Sequence, residues 1–228
     1  MKKYQHLLFD LDDTLLDFGA AEDVALHRLF EEKKIPLTED IEANYRQINS
    51  NLWTRFENGE ITRDEVLATR FAKLFAAYGQ EVDGVQFDEK YRNYLTESKV
   101  FVKGAWELIN KLALQFDLYL VTNGVSTTQY KRLQVTGLAP FFKNVFVSED
   151  TGYQKPMKGY FDYVFERIPN FHTKKALIIG DSFHADIVGG IEAGIDTCWL
   201  NPNGKQSVDN YKPTYEIVGL QQLEKILL

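Results

Sequence analysis

The chain has 228 residues, 44% of them hydrophobic and 14% aromatic, enough for a sizeable core in one large domain or in a core with an appendage. Its formal net charge is −7 and it has no dense Lys/Arg tract, which excludes a nucleic-acid polymer or an anionic membrane surface as the expected partner, since both are held by clustered cations. A small anionic substrate, held by one or two local cations, is not excluded.

The first residues, MKKYQHLLFD, carry no apolar region or small-residue cleavage site of a leader, and no run approaches the ~18 apolar residues of a membrane span. With one cysteine, Cys198, there is no intramolecular disulfide, as suits a reducing compartment. A cytoplasmic protein, monomeric or weakly homodimeric, is the expectation. The run Leu7-Leu8-Phe9 reads as a buried strand and leads straight into Asp10, Asp12 and Asp13, with Asp17 close behind. Carboxylates so close repel one another, so they are either spread in solvent or hold something positive.

Residues 20–98 read as helices throughout, the first starting near Glu22. Thr62 and Glu65 have capping-box spacing, and Leu67, Phe71, Leu74, Phe75 and Tyr78 fall on one helical face that Gly79 ends. A second face is Phe87, Tyr91, Tyr94 and Leu95. From about residue 100 the pattern changes to short apolar runs bounded by turn residues, at 117–124, 144–150, 176–181, 196–201 and 215–218, with amphipathic segments between most of them. That alternation predicts an α/β fold, a Rossmann-like parallel sheet core with an inserted α-helical cap subdomain. The core would comprise residues 1–16 and 100–228, and the cap residues 17–99.

Ligands in open α/β sheets sit beyond the carboxyl ends of the strands. Those ends carry Asp10, Asp12 and Asp13; Thr122, Asn123 and Gly124; and Gly180, Asp181, Ser182 and Asp186. Lys155-Pro156 lies in a loop. The inventory fits phosphoryl transfer with a hard divalent cation, because Mg²⁺ takes oxygen ligands and keeps several waters. Thr122, Asn123 and Lys155 can donate to phosphate oxygens. One carboxylate can attack while its neighbour two residues on protonates the leaving oxygen; spacing alone does not say which of Asp10 and Asp12 attacks.

The segments FDLDDTL, TNG, KP and GDSFHAD, in that order, resemble the four motifs of the haloacid dehalogenase-like hydrolases, and the insertion resembles that family's C1-type cap. The resemblance implies that Asp10 is the nucleophile, forming an aspartyl-phosphate, and that Asp12 is the general acid/base. It implies phosphate binding by Thr122 and Lys155, Mg²⁺ held by Asp10, the Asp12 carbonyl and Asp181, and Asp186 behind them orienting Lys155 or the metal waters. Dehalogenating members lack the second carboxylate, so Asp12 favours a phosphatase or phosphomutase. LWTRFENGEITRDEVLATRF, TNG followed by QYKRLQVTGLAPFF, and DTCWLN resemble the bacterial pyrimidine 5′-nucleotidase branch. The resemblance thus implies a Mg²⁺-dependent phosphatase acting on nucleoside 5′-monophosphates, pyrimidine ones above all. A sugar phosphatase or a phosphoglucomutase of the same family is the alternative.

Other residues have plainer readings. Asp13 and Asp17 read as solvated or helix-capping, Ser126 as an N-cap, His184 as an exposed helix start and Cys198 as packing. Trp53 and Phe56 could stack on a base, but read first as the core of the small subdomain. A receiver-like signalling domain places similar groups around Mg²⁺ but has about half this length and no insertion. A binding protein on an inactive scaffold is at odds with every catalytic position being filled.

Overall fold

The computed structural model describes residues 3–207 and 210–228. The chain divides into two compact units, one of Met1–Phe18 with Lys99–Leu228 and one of Gly19–Ser98.

The first unit is built on six parallel strands: β1 (His6–Phe9), β2 (Asp117–Thr122), β3 (Asn144–Val147), β4 (Ala176–Gly180), β5 (Asp196–Leu200) and β6 (Tyr215–Ile217). Their order across the sheet is β3-β2-β1-β4-β5-β6. The chain runs outward from β1 through β2 to β3, then returns to the other side of β1 with β4, so β1 lies at the reversal of strand order. Phe9 pairs in register with both Leu120 and Ile179. The next residue of each strand therefore emerges at one level, and the Asp10 amide donates to the Ile179 carbonyl at 2.9 Å.

Both faces of the sheet are covered, which is why its strands read as apolar runs without polar alternation. One face presents Leu7, Phe9, Leu118, Leu120, Leu177, Ile179 and Cys198 to α5 (Ala105–Leu112), α6 (Ser126–Thr136) and α10 (Leu220–Leu227). The other presents Leu8, Tyr119, Val121, Phe146 and Ile178 to α8 (Lys158–Glu166), through Tyr160, Phe161 and Val164. Burial of such side chains stabilises by roughly 1.5–3 kcal/mol each. Short helices α7 (Ser148–Thr151) and α9 (Gly189–Glu192) complete the unit, α9 following a single π-helical stretch, Phe183–Val188.

The second unit contains α1 (which begins at Phe18 and runs to Lys33), α2 (Glu39–Glu57), α3 (Arg63–Ala76) and α4 (Gly84–Leu95). Its core is aromatic: Tyr45 stacks on Phe71 with centroids 5.0 Å apart, and Tyr91, Phe75, Phe87 and Phe30 join them. The Thr62–Glu65 capping box forms in both directions, satisfying two amides that a helix start otherwise orphans. Three expectations need correction here. Helix α1 starts at Phe18, not near Glu22, because the Asp13 carboxylate accepts from the Phe18 amide at 2.9 Å. The buried face of α3 runs through Val66 and Arg70 beside Phe71, Leu74 and Phe75, and Tyr78 lies beyond the helix end, exposed. Ser126 is the first helical residue of α6, after Val125, and caps nothing; its hydroxyl instead donates to Asp150 at 3.0 Å.

Candidate active site

Asp10 leaves the end of β1 with 7% of its surface exposed. Lys155, 1% exposed, comes from the loop ahead of α8 and spends its ammonium on three oxygens. They are Asp10 Oδ1 at 2.7 Å, Asp186 Oδ1 at 2.6 Å and the Val121 carbonyl at 2.9 Å. An ammonium has three donors and no acceptor, so this buried cation is fully satisfied. Burial alone would push Lys155 down; the charges of Asp10 and Asp186 outweigh it, and its pKa lies above the ordinary lysine value.

The loop carrying Lys155 is pinned by Asn123. Its side-chain oxygen accepts from the Lys155 amide at 2.8 Å, and its side-chain nitrogen donates to the Lys155 carbonyl at 2.9 Å. The side-chain oxygen and one of the two N–H donors of the amide are thus spent on the lysine's backbone.

Asp10, Asp181 and Asp186 each offer a carboxylate oxygen, and these oxygens lie within 4.8 Å of one another. Asp186 is anchored at both oxygens, Oδ1 by Lys155 and Oδ2 by the Ser182 amide at 3.1 Å. The carboxylate of Asp181 accepts no hydrogen bond from the described residues. Burial, and then repulsion from Asp186 and Asp13, pushes Asp181 up to about 8. Burial likewise raises Asp10 well above the carboxylate range; Lys155 opposes this, while Asp186, Asp181 and Asp12 add to it. Three clustered carboxylates against one ammonium are short of positive charge, and their donor atoms are all hard oxygens. That is the chemistry of a site for a small divalent cation.

The Asp12 side chain stands apart from that cluster. Its Oδ1 pairs with the guanidinium of Arg132, itself 2% exposed, and its Oδ2 accepts from Gln129 Nε2 at 2.8 Å. The same Gln129 nitrogen donates to Thr122 Oγ1 at 2.9 Å. Asp10 and Asp12 therefore have different surroundings, one in the buried acidic cluster and one in a cationic amide clamp. Thr122, Asn123, Lys155, Asp10, Asp181 and Asp186 come together at the ends of β1, β2 and β4, with Asp12 beside Thr122. Cys198 is packed in the core, and His184 is exposed. Trp53 packs edge-on against Phe56 at 5.6 Å, in a cluster with Leu52 and Val66.

The model of the haloacid dehalogenase-like hydrolase family matches residues 4–194. The chain belongs to that family. It is 42% identical to the pyrimidine 5′-nucleotidase PynA of Streptococcus pneumoniae, across 96% of this chain and 93% of that protein. It is 32% identical to the pyrimidine 5′-nucleotidase YjjG of Escherichia coli, across 99% and 98%. Among solved structures it superposes on Bacillus subtilis YfnB, crystallised bound to magnesium, with a TM-score of 0.95, 59% identity and 99% of each chain covered.

In this haloacid dehalogenase-like hydrolase two residues that the motifs did not single out, Gln129 and Arg132, hold the Asp12 carboxylate. What marks them is their burial, which the structure shows and the sequence does not. A glutamine and an arginine three apart near the start of α6 share a helical face, and both are buried. Polar groups that large are seldom buried without a partner to satisfy them.

Proposed function

We propose that this protein is a cytoplasmic phosphatase that hydrolyses nucleoside 5′-monophosphates, pyrimidine ones above all, through an aspartyl-phosphate on Asp10. The observation that carries the phosphatase reading is the division of labour between the two carboxylates. Asp10 is buried against Lys155, where an oxygen can attack phosphorus. Asp12, 31% exposed and tied to Thr122 through Gln129, would in this reading give the leaving oxygen its proton. What supports the pyrimidine nucleotide is the 42% and 32% identity, over nearly full lengths, to two proteins named pyrimidine 5′-nucleotidases.

In this reading Asp10 attacks phosphorus and the P–O bond to the nucleoside breaks, while Asp12 passes its proton to the departing 5′-oxygen. Asp12, now ionised, then takes a proton from the water that attacks the aspartyl-phosphate, releasing inorganic phosphate and restoring Asp10. Lys155 and Thr122 hold the phosphoryl oxygens, and Asn123 acts through the Lys155 backbone. Asp10, Asp181 and the Asp12 carbonyl would hold Mg²⁺, with Asp186, committed at both oxygens, supporting Lys155. A bound Mg²⁺ would supply positive charge to offset the three carboxylates and the incoming phosphate. The helical unit, residues 19–98, would serve as the cap that excludes bulk water and selects the substrate.

The test is phosphate release from a panel of nucleoside monophosphates and sugar phosphates, with Mg²⁺ and with EDTA, alongside Asp10→Asn. Mg²⁺-dependent release peaking on pyrimidine monophosphates is the expected result. A peak on sugar phosphates would overturn the substrate and leave the chemistry, whereas release that survives thorough chelation would overturn the metal assignment.

A further inference from the structure

We propose that Arg132 and Gln129 are positioning residues that clamp the Asp12 carboxylate in place for proton transfer, and that Gly124 is the vacancy that lets the clamp close. The inference rests on the phosphatase reading above and adds to it the groups that aim its acid/base.

Asp12 follows the end of β1 on an irregular stretch of backbone, so nothing in the strand itself fixes its side chain. Helix α6 supplies what is missing. Arg132 reaches Oδ1 and Gln129 reaches Oδ2 at 2.8 Å, and Gln129 Oε1 accepts from Arg132 Nη1 at 3.0 Å. The three side chains close a ring of hydrogen bonds. Gln129 also bonds Thr122 Oγ1 at 2.9 Å, so one amide nitrogen fixes the distance between the acid/base and a phosphate-binding hydroxyl.

Two further observations separate this clamp from ordinary packing. A Cβ on Gly124 would stand 2.5 Å from the Gln129 amide carbon and nitrogen, so Gln129 folds over the strand end through space that any other residue would fill. The glutamine's end could move aside only by breaking its bonds to Asp12, Thr122 and Arg132. In addition, the Nε of Arg132 is buried with no hydrogen-bond partner among the described residues. A buried guanidinium with an orphaned N–H destabilises the fold. A purely structural arginine would gain by being replaced with an apolar residue, whereas one that must meet Asp12 would not. The Phe18 ring, 5.9 Å from the guanidinium carbon, lies against the same group.

The step the clamp serves is proton delivery to the leaving oxygen, and that defines the test. Turnover of a pyrimidine nucleoside monophosphate and of p-nitrophenyl phosphate would be compared in wild type, Gln129→Ala, Arg132→Ala and Arg132→Lys, with thermal melting of each. An alkoxide leaves poorly without a proton and p-nitrophenolate leaves well. The expected result is a fall in kcat of at least ten-fold on the nucleotide, a much smaller fall on p-nitrophenyl phosphate, and little change in KM. Guanidinium chloride at low millimolar concentration should restore part of the nucleotide activity to Arg132→Ala and none to Gln129→Ala. Equal losses on both substrates without rescue would overturn the positioning role, as would full nucleotide turnover in Gln129→Ala and Arg132→Lys. Those two milder variants carry the test if Arg132→Ala melts below the assay temperature. Wild type that releases phosphate from neither substrate would overturn the phosphatase reading itself, an outcome distinct from active wild type with indifferent variants.

Discussion

Gly180 lies so close beneath Asp186 that a Cβ on the glycine would stand 2.0 Å from the aspartate Oδ2. The last residue of β4 thus leaves its side-chain space to the carboxylate that orients Lys155. Gly180→Ala should displace Asp186 and, with it, the ammonium between Asp186 and Asp10. Overpacking of this kind costs about 1–3 kcal/mol of fold stability; separately, a displaced Lys155 weakens its hold on the phosphoryl group in the reading above, and turnover should fall by roughly ten-fold or more, as about 1.4 kcal/mol of lost transition-state stabilisation gives. Phosphate-release kinetics together with a melting curve read both effects; an alanine variant with wild-type kcat would show that Asp186 is not needed in that position.

Asp10→Asn should abolish turnover without lowering the melting temperature. The wild-type carboxylate is raised well above its ordinary range by burial and by three neighbouring acids, so in its ionised form it works against folding. An amide oxygen can still accept from Lys155. A drop of several degrees in a thermal shift assay would mean that the Asp10–Lys155 pair stabilises the fold more than burial opposes it.

Mg²⁺ should raise the melting temperature more at pH 8.5 than at pH 6. Protons compete with a cation for carboxylate oxygens, and Asp181 is pushed up to about 8. Below that value Asp181 holds a proton, and above it the ionised Asp181 is open to the cation, which stabilises the folded chain by mass action. Equal shifts at the two pH values would remove Asp181 from the ligand set.

The helical unit hides a second charged network. Arg70, 2% exposed, donates through Nε to Asp88 Oδ1 at 2.7 Å and through Nη1 to Asn49 Oδ1 at 3.1 Å; Arg92 reaches Asp88 Oδ2 at 2.6 Å. Removing one partner of a buried pair leaves the other uncompensated, at about 3–5 kcal/mol. Asp88→Ala should therefore unfold this unit several degrees before the sheet unit, visible as a split transition in calorimetry. A single unchanged transition would show that the network is dispensable.

Glu22, held in the same network by Asn49 Nδ2 at 3.0 Å and by the Tyr91 hydroxyl at 3.3 Å, is raised by burial to about 7, against the opposing pull of Arg70 and Arg46. Its folded value lies above its unfolded one, so its contribution is fully present below about pH 4.5. It is lost as pH rises through about 7, by about 3 kcal/mol in all. Glu22→Gln should flatten this part of the stability–pH profile; an unaltered slope between pH 5 and 8 would assign the dependence to other groups.

The sheet was legible because parallel strands buried on both faces leave uninterrupted apolar runs, and all six appear where those runs predict them. The carboxylates, Thr122 and Lys155 were legible through their places at strand ends and through motif order. What escaped was the contribution of helix interiors. Gln129 and Arg132 reach back to the strand ends from the first two turns of α6, and nothing in a glutamine's sequence position announces a partner more than a hundred residues away. Asn123 could be found but not interpreted, since its bonds run to a loop 32 residues on. Arg70 broke the apolar count of α3 because a buried cation is invisible to hydrophobic periodicity until its acid, Asp88, is seen beside it.

The backbone around residues 15–17 and 100–102 has an architectural consequence. Asp17 donates to the Val100 carbonyl at 3.1 Å, Val102 to that of Leu15 at 3.0 Å, and Leu16 forms an antiparallel bridge with Phe101. The outgoing and returning chains are therefore zipped together, about 5 Å apart, before the eighty intervening residues begin. Because the core itself closes this neck, the entropy of closing the loop is largely independent of what the loop contains. The inserted residues can thus change in length and composition while Asp10 stays where β1 puts it.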